Sequence, residues 1–328
     1  MRVLFIGGTG ILSSACSRLA LEQGFELYVL NRGQTTVRPL PAGARLLCCD
    51  INDRASVERA LGSLRFDCVC NFIAFAPDQV ERDVALFTQR TQQYIFISSA
   101  SVYKKPVSHW PITESTPAHN PFWQYSQDKI ACEVQLQNAW QQQGFPATIV
   151  RPSHTYDATL LPFDPYLGGG TVLERMRRGK PVVVHGDGTS LWTLTHHRDF
   201  AQGLLGIVGN PKALGETFHI TSDELLSWNE IYELVARAAG VEPRLVHVPS
   251  HIIARHHPAW GAGLLGDKAH SVWFDNSKIR RFVPDYRPRI PFAHGVREII
   301  DFYDRHPEYQ PVDPKLDALM DQLTEQFR

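Results

Sequence analysis

The chain has 328 residues, 43% of them hydrophobic and 20% charged, with a formal net charge of −1 at pH 7. That length suits one large or two ordinary soluble domains and exceeds a single small core. The near-zero charge excludes a strong field toward nucleic acid or anionic membrane, and no apolar run reaches the ~18 residues of a membrane span.

Val3 to Ile6 reads as a strand buried on both faces, as in a parallel sheet, and is too short for the core of a signal peptide. Gly7-Gly8-Thr9-Gly10-Ile11-Leu12-Ser13-Ser14 then turns into a helix running to about Gln23, which Gly24 ends, and Glu26 to Leu30 is a second strand. Bare backbone and a helix N-terminus at the first strand-to-helix turn suit a pyrophosphate, so Gly7, Thr9, Gly10, Ile11 and Leu12 are expected to hold a dinucleotide. Ser13 occupies the third small position and permits close helix–strand packing.

The second strand ends in Asn31-Arg32-Gly33 without the acidic residue that would hold adenosine ribose hydroxyls and favour NAD. Arg32 could meet a 2′-phosphate, which leans toward NADP, or it only stacks on the adenine or faces water. Arg45 to Cys49 is a third strand; Asp50 and Ile51 follow it toward the adenine region, unless Asp50 simply caps the helix starting near Arg54. Cys68 to Phe72 is the fourth strand, with Ile73-Ala74-Phe75 at its carboxyl end, where ligands bind in such sheets. Gln93 to Ser98 is the fifth and delivers Ser98, Ser99, Ser101 and Tyr103 to the same edge.

A helix then carries Tyr125 and Lys129 and runs to about Gln143. Residues four apart lie on one helix face. A neighbouring ammonium favours the phenolate and lowers a phenol pKa of about 10 toward a useful acid/base. Ala147 to Val150 is the sixth strand, closed by Arg151-Pro152. Regular alternation of strand and helix predicts an α/β fold, a Rossmann-like doubly wound parallel sheet over residues 1–153. Residues 154–328 form a smaller α+β substrate region, with a segment near 190–220 returning to the first domain. Its expected elements are helices Thr171–Arg178, Trp228–Gly240, Phe292–Tyr303 and Pro311–Arg328, and a strand Val182–His185 before the turn Gly186-Asp187-Gly188. The six cysteines read as reduced, with Cys48, Cys49, Cys68 and Cys70 in apolar runs, so a cytoplasmic protein without a metal site is expected.

Gly7-x-x-Gly10-x-x-Ser13, Asp50-Ile51, Ser99-Ala100-Ser101-Val102-Tyr103, Tyr125-x-x-x-Lys129, Arg151-Pro152, Gly186-Asp187-Gly188, His196-His197-Arg198-Asp199-Phe200 and Ile220-Thr221-Ser222-Asp223-Glu224 occur in order. As a set they resemble the extended short-chain dehydrogenase/reductases, the NAD-dependent epimerase/dehydratase family. The resemblance implies that Tyr125 is the proton donor or acceptor, that Lys129 binds the nicotinamide ribose and depresses the Tyr125 pKa, and that Ser99 bonds the reacting oxygen, with Ser98 as the other register. It implies NAD or NADP on the glycine turn, Asn31, Arg32, Asp50, Ile51, Phe72, Ile73, Ala74, Ser98, Pro152 and Ser153, and a homodimer.

The departures restrict the substrate. Ala100-Ser101 stand where 4,6-dehydratases of the family carry an Asp-Glu pair, and Trp192 stands where UDP-sugar epimerases carry an arginine for the diphosphate. Arg198 could replace that charge but beside Asp199 reads as a surface pair. Phe75, Ser101, His154 and Trp192 are candidate substrate contacts. Lys104 could meet an anionic group or remain a solvated loop charge. His196-His197 mimics a zinc pair, but adjacent strand residues face opposite ways, and His256-His257 has no evident partner. The expected function is an NAD(P)-dependent oxidoreductase or epimerase on a small-molecule substrate, at a hydroxyl or carbonyl of a sugar or sugar derivative, possibly a sugar nucleotide. The alternatives are an NADPH-dependent carbonyl reductase on a non-sugar substrate, and a catalytically silent RNA- or ligand-binding module. Neither nucleic acid nor membrane is an expected partner.

Overall fold

The computed structural model describes residues 1–327. The apolar run at the N-terminus becomes strand β1 (Arg2–Ile6), fully buried after its first residue. Helix α1 (Ile11–Glu22), β2 (Glu26–Asn31), β3 (Arg45–Cys48), α2 (Arg54–Leu61), β4 (Cys68–Asn71), α3 (Pro77–Phe87), β5 (Tyr94–Ile97), α4 (Gln124–Gln143) and β6 (Ala147–Pro152) follow in turn. Gly144, at φ 66°, ends α4 in the left-handed conformation.

These strands and Thr217–Ile220 make one seven-stranded parallel sheet, in the order Thr217–Ile220, β6, β5, β4, β1, β2, β3. The order reverses between β1 and β4, which opens a crevice beyond their carboxyl ends. The fold is the Rossmann-like doubly wound sheet anticipated from the sequence. One face packs Val3, Phe5, Cys16 and Val29 against Phe200 and Leu204 of the helix His197–Leu205; the other packs Leu4, Ile6 and Phe96 against Val57, Phe87 and Leu136.

The later half has its own core, built from Tyr156, Leu173, Val183, Trp228, Ile299 and Met320. Its helices include Gly169–Arg177, Trp228–Ala238 and Phe292–Arg305, and Pro181–His185 pairs in parallel with Arg244–Val248. The C-terminal helix starts at Pro314, capped by Asp313, and runs to Gln326; Arg328, at the end of the expected helix, lies outside the described residues.

Candidate active site

A cavity of about 480 Å³ opens at the crevice, bounded by the first glycine turn, the ends of β4 and β5, the start of α4 and the segment after β6. Gly7 has φ +84°, and a Cβ there would lie 2.5 Å from Ile73 Cγ2. Gly10 caps α1, its N–H donates to Ser13 Oγ at 2.8 Å, and Ser13 Oγ donates to the Gly7 carbonyl at 2.5 Å. The hydroxyl therefore staples the turn, which accounts for serine at this position. No acidic residue stands in the first turn of α1, so its positive end is uncompensated. Gly7, Gly10, Ile11, Leu12, Phe72, Ile73, Ser98, Pro152 and Ser153 line the cavity. Gly7→Ala should cost about 1–3 kcal/mol in urea unfolding and weaken dinucleotide binding at least about tenfold by titration, because strain and the Ile73 clash combine.

Thr9, Asn31, Arg32, Asp50, Ile51 and Ala74 lie outside this lining. Asn31 braces the turn by donating to Thr9 Oγ1 at 3.3 Å, while Arg32 is exposed and Ile51 buried. Asp50 accepts from the Asn52 N–H at 2.9 Å; the helix cap is Asp53, which accepts from Ser56 N at 3.2 Å, so the capping alternative fell on the wrong aspartate.

Tyr125 lies in the first turn of α4 and Lys129 one turn on. The buried Lys129 ammonium donates to the carbonyls of Ala74 and Ile97, each at 2.7 Å, and lies 4.5 Å from the centre of the Phe75 ring. Burial pushes its pKa down to about 8. Burial pushes the Tyr125 phenol up to about 12, with the Asp267 carboxylate adding to the rise and a hydrogen bond with the Ser99 side chain opposing it. The expectation that Lys129 depresses the Tyr125 pKa does not hold: the ammonium is spent on two carbonyls and lies 5.9 Å from the phenol ring centre.

Ser99 follows β5, with its Oγ 3.0 Å from Ser101 Oγ; Ser126 donates to Ser101 Oγ at 2.8 Å. Ser98 is committed elsewhere. Its hydroxyl donates to Glu133 Oε1 at 2.5 Å, and Glu133 takes a two-pronged contact from Arg151, at 2.9 and 2.5 Å. Ser99 is thus the serine of the pair that approaches Tyr125.

His154 and Trp192 line the far end, where the indole N–H donates to His154 Nδ1 at 3.2 Å. Burial and the Lys268 charge pull His154 down to about 3, so it is neutral and its hydrogen resides on Nε2. Phe75 stands at the mouth, its ring centre 6.4 Å from that of Tyr125. Sequence reasoning missed Trp123, Asp267 and Lys268, which also line the cavity. Lys105, rather than Lys104, is the buried member of its pair and meets Asp267 at 3.3 Å.

His196 ends a strand and His197 begins a helix, so the argument from strand alternation fails: their rings are 4.7 Å apart. Both are depressed to about 4, chiefly by burial, and no group of three metal-ligating side chains is found among the described residues. Arg198 pairs with Glu298, while Asp199 accepts from the Ile290 N–H, so the expected Arg198–Asp199 pair is not formed. His257 caps the helix Pro258–Gly263. Arg38, from the β2–β3 loop, pairs with Asp157 at 2.5 Å and bonds Thr159, which ties that loop to the segment after β6.

The profile of the NAD dependent epimerase/dehydratase family matches residues 3–221. The chain is 27% identical over 296 residues to 2′-dehydrokanamycin reductase of Streptomyces kanamyceticus, covering 88% of this chain and 81% of that one. It is 26% identical over 263 residues to the chloroplast stem-loop binding protein of 41 kDa b of Arabidopsis thaliana, covering 75% of this chain and 65% of that protein. The solved UDP-glucose 4-epimerase of Thermus thermophilus, a complex with NAD, superposes with a TM-score of 0.75 at 22% identity, over 93% of this chain and 100% of that one. No helix among the described residues is long and apolar enough to cross a membrane.

Proposed function

The chain belongs to the NAD dependent epimerase/dehydratase family, a family of enzymes, and from that membership we propose an NAD(P)-dependent oxidoreductase or epimerase acting on a hydroxyl or carbonyl of a small sugar derivative. The observation that carries the reading is that one cavity gathers Ser99, Tyr125 and Lys129 with the Gly7–Gly10 turn. The similarity to a protein named as a reductase supports direct oxidation or reduction over a cycle on a nucleotide sugar.

The strained Gly7, the capping Gly10 and the uncompensated start of α1 fit a pyrophosphate. NAD or NADP would be held by Gly7, Thr9, Gly10, Ile11 and Leu12, with Asn31, Arg32, Asp50 and Ile51 toward the adenosine and Phe72, Ile73, Ala74, Pro152 and Ser153 toward the nicotinamide. The bound cofactor supplies hydride exchange with a carbon of the substrate. Lys129 has a third N–H beyond the two given to carbonyls, and it serves a ribose hydroxyl. Ser99 donates to the reacting oxygen. Tyr125 passes its phenolic proton to that oxygen in reduction and regains it in oxidation. We assign cofactor binding to residues 1–153 with the returning segment near 190–220, and substrate binding to the remainder, in a cytoplasmic homodimer.

The pH dependence follows. A phenol near 12 stays protonated at neutrality and is ready to act as an acid, so reduction should be flat below pH 7.5 and fall as Lys129 loses its charge above about 8. Oxidation needs the phenolate and should climb through the same range. Initial rates in both directions from pH 6 to 9.5 check this; parallel profiles would contradict it. The function itself is tested by identifying any nucleotide released on denaturation, then screening sugars for absorbance change at the nicotinamide band. A cofactor-free protein inert toward every sugar and ketone, yet binding RNA with steep salt dependence, would favour the silent module.

A further inference from the structure

The substrate end of the cavity is closed by an element with no regular signal in the sequence, a π-helical turn at Leu264–Lys268. Such turns concentrate at functional sites. This one is anchored beyond the needs of a loop. The Lys268 carbonyl lies within hydrogen-bond distance of His185 Nε2 at 3.0 Å, Ser190 Oγ at 3.1 Å and Trp228 Nε1 at 3.2 Å. Asn120 donates to the Gly266 carbonyl at 2.6 Å, and a Cβ on Gly266 would lie 2.7 Å from Trp123 Cβ. The turn is therefore pressed against Trp123, two residues before Tyr125, whose ring centre is 4.9 Å from that of Trp123.

From this turn Asp267 and Lys268 reach the cavity side by side. Each charge is already balanced: Asp267 by Lys105 at 3.3 Å, and Lys268 by Asp164 at 3.4 Å. The Lys268 ammonium also lies 5.1 Å from the Trp123 ring centre and 5.8 Å from that of Trp192. Among the described residues, no arginine lines the cavity. The far end thus presents one ammonium and one carboxylate against aromatic walls, each paired with an opposite charge outside the lining, so that the four sum to zero. A diphosphate entering it would have no surplus cation to meet, and an ammonium no surplus carboxylate. What the end does offer is hydrogen bonding. Trp192 occupies Nδ1 of His154, and Nε2 has no partner among the described residues, leaving one N–H donor. Lys268 adds donors and Asp267 an acceptor.

We infer that His154, Asp267 and Lys268 read the hydroxyls of an uncharged sugar ring seated beside the Trp123 indole, and that this cluster selects such rings over sugar nucleotides. The inference rests on the redox reading above and narrows its substrate class. Hydroxyl-reading sites reject poorly matched ligands because their own buried groups are then left unpaired.

The test uses the cofactor-loaded full chain. A panel of methyl hexopyranosides of differing configuration is compared with glucuronate, glucosamine and UDP-hexoses, by tryptophan fluorescence quenching and by turnover at the nicotinamide band. At least one uncharged pyranoside should bind about tenfold or more tightly than its charged and nucleotide-linked counterparts. Asp267→Asn and Lys268→Met should each raise its KM about tenfold, lower kcat by less than about threefold, and leave cofactor affinity unchanged. Asp267→Asn is nearly isosteric and, made together with Lys105→Met so that no buried ammonium is left unpaired, it decides the matter if Lys268→Met fails to fold. Preference for a UDP-hexose, no binding of any pyranoside, or a KM indifferent to Asp267→Asn would overturn the inference. If Tyr125→Phe is inactive on whichever substrate is turned over, the redox reading survives that failure; if it remains active, the redox reading itself falls.

Discussion

Tyr125→Phe should lower kcat by about a thousandfold, within the usual range for removal of a general acid/base, and shift the cofactor dissociation constant by less than about threefold. The phenol ring packs on Trp123 and tilts against Phe75, contacts that phenylalanine keeps. What is lost is the hydroxyl that meets Ser99 and exchanges the proton. Single-turnover absorbance at the nicotinamide band, paired with calorimetric titration of the cofactor, separates the two quantities. Activity retained within about tenfold would remove Tyr125 from the chemistry. Lys129 is not among the groups that shift the Tyr125 phenol, which burial and Asp267 raise and Ser99 lowers, so its own role lies with the groups its ammonium touches. Lys129→Met should then weaken cofactor binding as well as turnover, in contrast to the tyrosine variant.

The largest effect on stability is expected from Glu133→Ala, at about 3–5 kcal/mol in urea unfolding. Glu133 is buried on α4, holds Arg151 of β6 through two contacts and receives the Ser98 hydroxyl from the end of β5. Removing the carboxylate strands a buried guanidinium beside the Tyr103 ring, 4.7 Å from its centre. Pairing the change with Arg151→Met should recover a large part of the loss, since the stranded charge dominates it. If the single variant unfolded at the wild-type urea midpoint, the ion pair would be contributing nothing that water does not supply equally well.

The parallel sheet was legible because Val3–Ile6, Cys68–Asn71 and Tyr94–Ile97 are short apolar runs closed by glycine or polar residues, a local pattern needing no tertiary knowledge, whereas the order of its strands was not. While the role expected of Ser99 came from the family resemblance, the glycine turn and the Tyr125–Lys129 pair were legible as candidates for a related reason, because each is a near-neighbour pattern. Asp267 and Lys268 were not. They reach the cavity from over a hundred residues downstream, on a π-turn whose geometry is imposed by partners such as Asn120 and Trp228. The choice between Lys104 and Lys105, and between Asp50 and Asp53, turns on one or a few positions of loop register, which no periodicity fixes. His196 and His197 were misjudged because a strand gives way to a helix between them, and alternation ends there.

The strand Thr217–Ile220 lies at the rim of the sheet, yet it arrives some sixty residues after its neighbour β6. Its approach already bonds that neighbour, Gly215 N–H to the Ala147 carbonyl at 2.7 Å and Ile149 N–H to the Glu216 carbonyl at 3.0 Å. A shortened chain stopping near residue 153 would expose β6 as a raw apolar border, open to pairing with any passing copy. The first 153 residues cannot therefore be lifted out as a portable unit, and ribosomal synthesis must run well past them before that border is sealed.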